Sequence, residues 1–213
     1  MHLKFKIIVA LLPSALMLSA GDVQPYESFF GFSLVRFNPN SGVLPSFNSH
    51  GGDCQFVYNI DARTGFVFDV GAVTKGELNR SGVDSTTVNF AAGPRFKFHN
   101  DSRFQPFVEM LFGGAYSTAS TRLPLASGVP DLPPANLVVN PDQPVAARLV
   151  VSRAGFTMLA GGGLDIKISK HIAFRPFGAD YYLARLPGPL TSNPQTVGNF
   201  RYTTGFNVVF GQE

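Results

Sequence analysis

Apolar and polar residues alternate along GNFRYTTGFNVVF, residues 198–210, near the end of the chain. One side of this segment carries Phe200, Tyr202, Thr204, Phe206, Val208 and Phe210. The other side carries Asn199, Arg201, Thr203, Gly205 and Asn207. A period of two over this length predicts a β-strand with one apolar and one polar face, whereas an amphipathic helix would need a period of 3.6.

The same alternation recurs along the chain, for example in DCQFVYNID, TGFVFDVGAV and STTVNFAAGPRFKF. It predicts strands at about 26–37, 52–62, 64–75, 85–98, 103–117, 153–168, 171–185 and 198–210. Short polar turns (DART, HNDSR and SKH) alternate with longer connections at 38–51, 76–84, 118–152 and 186–197. This rhythm predicts an all-β fold, an eight-stranded antiparallel up-and-down barrel.

Alternation alone does not tell which face of such a barrel points inward. A soluble barrel such as a lipocalin hides its apolar face, whereas a transmembrane barrel exposes that face to lipid. The short turns and long connections fit the periplasmic turns and external loops of a transmembrane β-barrel. Aromatic residues placed to form interfacial girdles are Tyr26, Phe37, Phe98, Phe104, Tyr116, Tyr181, Tyr182 and Phe210. These features favour the transmembrane barrel.

The first residues have the order of a secretory signal peptide. Basic residues in MHLKFK precede the short apolar run IIVALLPSALML and the small residues SAG. We therefore expect residues 1–20 to be a signal peptide. Residues 21–213 are expected to form one outer-membrane barrel domain, with a long external loop at about 118–152.

Four segments together resemble a known family: GGDCQFVYNIDARTGFVFDVG, FQPFVEMLFGGAYS, AGGGLDIKISKHIAFRPFGADYYLAR and RYTTGFNVVF. The family is that of the small eight-stranded outer-membrane barrels, which includes the OmpA transmembrane domain and OmpX-like proteins. The resemblance covers about residues 26–210. It implies a location in the bacterial outer membrane and insertion by the barrel-assembly machinery, which reads a final strand ending in an aromatic residue. Phe206, Val208 and Phe210 match that assembly signal.

In a transmembrane barrel the polar face lines the lumen. The predicted polar network of the lumen consists of Asp69, Arg95, Lys97, Glu109, Asp165, Lys167, Arg175, Asp180 and Arg201. An interior of eight strands is only just wide enough for side chains to fill it, and buried charges require partners. The near balance of basic and acidic residues therefore predicts a lumen closed by ion pairs.

One hairpin, residues 159–185, tests this interpretation. Arg175 and Asp180 are five residues apart, so an unbroken strand would place them on opposite faces. A β-bulge near Pro176 and Gly178 would bring both inside. The glycine run at 161–163 lacks the strand-to-helix context of a dinucleotide loop. We expect Gly161 and Gly163 to give room in the lumen and Gly162 to face lipid.

No enzymatic site is predicted. His99 and His171 are expected in periplasmic turns and His50 in a loop, none beside a suitable nucleophile and carboxylate. We expect no catalytic residues, no cofactor and no metal site, because Cys54 is the only cysteine and no histidine pair has ligand spacing. The net charge of +3 is carried by dispersed basic residues, so no nucleic-acid partner is expected.

The function expected of this chain is that of a monomeric barrel surrounded by outer-membrane lipid. Its external loops would carry a structural or surface-interaction role, with a partner that the sequence does not identify. A narrow porin-like channel for small solutes is the main alternative. A soluble lipocalin-like binding barrel is a further one.

Overall fold

The computed structural model describes residues 25–38, 46–76, 83–98, 102–124, 146–187 and 194–211. Each strand pairs antiparallel with its neighbours in chain order, and the last pairs with the first to close a barrel of eight strands. The strands are β1 (Tyr26–Phe37), β2 (Phe47–Asn59), β3 (Thr64–Lys75), β4 (Val83–Lys97), β5 (Phe104–Pro124), β6 (Ala146–Lys167), β7 (Ile172–Pro187) and β8 (Pro194–Phe210). The predicted fold class is confirmed.

The outer surface of the barrel is apolar and its interior is charged. On β3, Val67 and Asp69 are buried, whereas Phe66, Phe68 and Val70 are exposed. Buried arginines and carboxylates with exposed phenylalanines reverse the distribution expected in water. Such a surface matches the apolar band of a transmembrane barrel, which is in contact with lipid. Among the described residues, no helix is long and apolar enough to cross a membrane.

The two ends of the barrel differ. At one end, here called the turn end, short connections join β2 to β3, β4 to β5 and β6 to β7, and Pro25 and Gly211 lie there. The carboxylate of Asp61 accepts hydrogen bonds of 2.7 Å from the backbone N–H groups of Arg63 and Thr64 and so caps the first turn. The opposite end, here called the loop end, carries the longer connections.

Several strand ends differ from the sequence prediction. β2 begins at Phe47 rather than at 52. β5 continues to Pro124 and β6 begins at Ala146, so the predicted loop at 118–152 is too long by seven residues on each side. In both extensions, TASTRLP (118–124) and AARLVVS (146–152), apolar and polar residues do not alternate, so the period of two that reveals a strand is missing there. The predicted signal peptide, 1–20, lies outside the described residues.

The bulge predicted in β7 is confirmed. The register between β7 and β8 shifts between Arg175 and Gly178, and the register between β6 and β7 shifts between Leu164 and Ile166. Arg175 and Asp180 are consequently both buried in the interior, although five residues separate them. The extra residue removes the cost of turning one charge toward lipid.

Aromatic rings cover the seam between β1 and β8 at the turn end. The ring of Tyr26 stacks on Phe210 with 5.9 Å between centroids, and on Phe56 at the same distance. Further along the neighbouring β7–β8 pair, Phe206 contacts Phe174 with 5.3 Å between centroids. The last aromatic residue of the chain therefore packs against the first strand where the barrel closes.

Candidate functional site

The interior contains a bonded network of charged side chains. Eight of the nine residues predicted for it lie inside: Asp69, Arg95, Lys97, Glu109, Asp165, Arg175, Asp180 and Arg201. All but Lys97 are less than a tenth exposed. Their side chains meet in three clusters that follow the axis of the barrel.

The first cluster surrounds the guanidinium of Arg201. Its Nε donates to Asp180 at 2.9 Å, and its Nη1 donates to Asp53 at 3.0 Å and to Asp69 at 2.9 Å. Asn89 donates a further 2.9 Å hydrogen bond to Asp69. One cation thus joins carboxylates from β2, β3 and β7 to β8 across the lumen.

The second cluster is organised by the side-chain amide of Gln55. Its Oε1 accepts hydrogen bonds from Arg95, at 2.5 Å, and from Arg175, at 2.9 Å. Its Nε2 donates to Asp69 at 3.0 Å and to Glu109 at 3.3 Å. The amide therefore connects two cations and two carboxylates, and through Asp69 it reaches the first cluster.

Each arginine of the second cluster also has its own carboxylate and an aromatic neighbour. Arg95 Nε donates to Glu109 at 2.7 Å, and Arg175 binds Asp165 through two hydrogen bonds of 2.7 and 3.2 Å. The guanidinium carbon of Arg175 lies 4.1 Å from the centroid of the Phe29 ring and 4.4 Å from that of Phe107. Such cation–π contacts are stronger when they are desolvated, as they are here.

The third cluster lies at the turn end of the lumen. Lys97 forms an ion pair with Glu27 and donates to Asn59 at 3.0 Å. Asn59 and Asn207 donate to the two oxygens of the Glu27 carboxylate at 2.8 and 2.9 Å. The side chain of Lys97 remains 13% exposed, so this cluster is the one nearest to solvent.

The prediction for Lys167 is wrong. It is the last residue of β6 and its side chain is exposed. At this position the strand leaves the barrel, so the face that alternation assigns to the lumen already meets solvent. A long cationic side chain is then more stable in water than inside.

Several further residues belong to the network although the sequence did not single them out: Glu27, Asp53, Gln55, Asn59, Asn89 and Asn207. Five of them, Asp53, Gln55, Asn59, Asn89 and Asn207, lie on polar faces that the alternation identifies, so that face was the available signal. With Glu27 and Asp53 included, the described interior holds six carboxylates and four cations rather than a slight basic excess. The carboxylates in excess are grouped around Arg201.

Apolar side chains close the lumen between the charges and the loop end. Val35, Val73, Tyr182 and Ala184, here called the apolar cap, are buried, and Phe37 packs against them. The interior position of Tyr182 and Phe37 contradicts their predicted place in an interfacial girdle, because each follows the parity of its strand's lumen face. The phenol ring of Tyr182 contacts Phe37 edge-on at 6.2 Å between centroids.

Two glycines of the run at 161–163 provide space in the lumen, as predicted. A Cβ at Gly161 would lie 2.5 Å from Asp180 Oδ1, and one at Gly163 would lie 2.9 Å from the Phe107 ring. A larger residue would first press on the backbone of β7, at the carbonyls of Ala179 and Phe177, and then on the Asp180 carboxylate and the Phe107 ring. The run serves packing.

The histidines give no sign of a catalytic arrangement in the part of the chain that is described. His50 lies on β2 and not in a loop, and its ring stacks on Phe32 with 6.5 Å between centroids. His171 lies in the turn after β6, whereas His99 lies outside the described residues. No group of three His, Cys, Asp or Glu residues in the described ranges could hold a metal ion. Cys54 is exposed on the outer surface.

Comparisons with solved structures identify proteins with the same fold. Ail, the attachment invasion locus protein of Yersinia pestis, is 13% identical, with a TM-score of 0.51 over 87% of this chain and 99% of that one. Neisserial surface protein A (NspA) is also 13% identical, with a TM-score of 0.54 over 87% of this chain and 97% of that one. No family model matches the sequence, and no curated protein matches it. By fold, the chain is similar to small barrels of the bacterial outer membrane.

Proposed function

We propose that this protein is a monomeric outer-membrane barrel with a closed lumen, and that its external loops carry a structural or surface-interaction role. It acts as a binding or scaffolding surface rather than as an enzyme. The membrane-embedded barrel anchors these loops, and outer-membrane lipid is its constant partner. The barrel-assembly machinery is its partner during insertion.

The observation that carries this proposal is the filling of the lumen. The Arg201 and Gln55 clusters cross the interior, and the apolar cap lies between them and the loop end. A conducting pore is expected to have a wider lumen, with one dominant sign of charge along its walls. Cross-bonded charges below an apolar layer instead favour a rigid anchor.

The surface role is supported by the form of the loop end. β5 and β6 pair as far as Pro124 and Ala146, so they form the longest hairpin of the part of the chain that the structure describes, and residues 125–145 of the sequence connect them. The names of the two similar structures contain the words attachment and surface. Loops held by a rigid scaffold are common sites of recognition.

The first test is single-channel conductance in planar bilayers. The wild-type barrel is expected to give no steady current, because both the charged clusters and the apolar cap close its lumen. The double variant Val35→Ala, Tyr182→Ala removes side chains of the apolar cap and tests whether a current can be detected when the cap is thinner. Phe200→Ala, on the outer surface, is the matched control. A steady wild-type current would contradict the closed lumen and favour the narrow-channel alternative.

The second test concerns the loops. Cells that display the protein with residues 125–145 replaced by a short glycine–serine linker are expected to adhere less to other cells than cells that display the wild type. Heat-dependent migration of the variant on gels shows that its barrel has folded. Equal adherence of variant, wild type and cells lacking the protein would contradict a surface-interaction role for this loop.

A further inference from the structure

A groove on the outer surface at the turn end combines a cation with two aromatic rings. It is lined by Arg63, Phe96, Lys97 and Phe98. Arg63 belongs to the turn between β2 and β3, and its carbonyl accepts a 2.6 Å hydrogen bond from the backbone N–H of Lys97. The turn is therefore fixed against the end of β4, which holds the four residues together.

The aromatic wall of the groove faces lipid. Phe96 is 41% exposed and Phe98 is 50% exposed, and both lie on the outer side of the barrel at the end of β4. Their rings meet edge-on, with 5.4 Å between centroids and 87° between planes. Rings at this depth, beside a turn that leaves the membrane, lie at the interface where lipid headgroups meet acyl chains.

The cation of the groove is Arg63. Lys97 also lines it, but the Lys97 ammonium points into the lumen and pairs with Glu27. The side chain of Arg63 is exposed, and its neighbour Asp61 directs its carboxylate at the backbone of the turn. The backbone N–H groups of Arg63 and Thr64 lower the pKa of Asp61, so its hydrogen bonds to the turn persist.

We propose that this groove binds the headgroup of an anionic phospholipid in the adjoining leaflet. The guanidinium of Arg63 donates hydrogen bonds to the phosphate, for which its planar donor geometry is suited. Phe96 and Phe98 pack against the glycerol and the first carbons of the acyl chains. The exposed cations Arg103 and Lys170, in the other two turns at this end, add to the attraction of negative headgroups.

The absence of tryptophan from the sequence permits a site-specific test. Phe98→Trp places a single fluorophore in the groove. The protein is folded into vesicles that contain brominated phosphatidylglycerol or brominated phosphatidylcholine, and quenching measures the local preference between them. We expect phosphatidylglycerol to be preferred about fivefold at this position, the effect of one interfacial arginine. Adding Arg63→Gln should abolish that preference.

Two matched controls accompany this experiment. Arg36→Gln, which neutralises an exposed arginine toward the loop end of β1, should leave the preference of the Phe98→Trp reporter unchanged. A reporter placed by Phe200→Trp, on the outer surface away from the groove, should show no preference that Arg63→Gln alters. Heat-dependent gel migration confirms that each variant is folded.

Three outcomes would overturn the proposal. Equal quenching of the Phe98→Trp reporter by both lipids would show that the groove does not select anionic headgroups. A preference for phosphatidylglycerol that survives Arg63→Gln would show that Arg63 is not the residue that binds the headgroup. Inorganic phosphate that binds at Arg63 and is not displaced by phosphatidylglycerol would instead identify a site for free phosphate. None of these results depends on the role of the external loops.

Discussion

At the scale of single residues, the side-chain amide of Gln55 makes four hydrogen bonds to charged groups of the interior. Gln55→Leu keeps a similar volume but removes two hydrogen bonds to arginines and two to carboxylates. Buried charged groups that lose partners are costly, so we expect the free energy of unfolding to fall by about 2–4 kcal/mol. Denaturant titration of the barrel in vesicles, followed by circular dichroism, measures this change.

Gln105→Leu is the matched control for this variant. The Nε2 atom of Gln105 is buried and makes no hydrogen bond to a described residue. The same substitution there should change the unfolding free energy by less than about 1 kcal/mol. Equal losses at both positions would mean that Gln55 acts through its volume and not through its amide.

Alternation identified the lumen residues well but not their partners. It placed Asp53 and Gln55 on the polar face of the second strand, yet their partners Arg201 and Arg175 are 148 and 120 residues away. Contacts across a lumen depend on the stagger of all eight strands, which no local pattern contains. Alternation alone therefore could not show that Asp53 and Gln55 bind these arginines.

At the scale of strands, the bulge in β7 decides which face its charges occupy. Deleting Pro176 should restore unbroken alternation and turn either Arg175 or Asp180 toward lipid. The cost for an arginine near the membrane centre is about 2–4 kcal/mol. We expect a lower denaturation midpoint and a smaller folded fraction on gels without heating.

Pro176→Ala is the control, because it keeps the chain length and therefore the bulge. It should fold nearly as well as the wild type. If the deletion variant were as stable as Pro176→Ala, the register shift would not be needed to keep both charges inside.

Strand positions within the apolar band were predictable, whereas strand ends outside it were not. The limits of β1 and β3 agree with the prediction, and exposed and buried residues alternate along all of β3 and most of β1. β2 starts earlier than predicted because FNSHGG has too few apolar residues to mark an outer face. Water contacts both faces of a strand beyond the membrane. The residue types there consequently do not show which face points outward, or where the strand ends.

At the scale of the whole molecule, closure of the barrel joins the last strand to the first. Phe210 has two proposed roles at this junction. Its ring stacks on Tyr26 across the seam, and it is the proposed aromatic signal read by the barrel-assembly machinery. Aromatic pairs contribute about 0.5–1.5 kcal/mol beyond burial, so removing either ring should modestly destabilise the folded barrel. Stability alone therefore does not separate the two roles.

Comparison of Phe210→Ala with Tyr26→Ala separates them. Both variants remove the seam contact, and Tyr26→Ala also removes contacts with Phe56 and Tyr58. In vesicles without assembly machinery, Tyr26→Ala should therefore be at least as impaired as Phe210→Ala. In cells we expect the reverse, with membrane levels reduced several-fold more by Phe210→Ala, as measured by quantitative blotting of membrane fractions. If Tyr26→Ala reduced the levels equally, closure of the seam would explain the importance of Phe210, and the signal would have to reside elsewhere in β8.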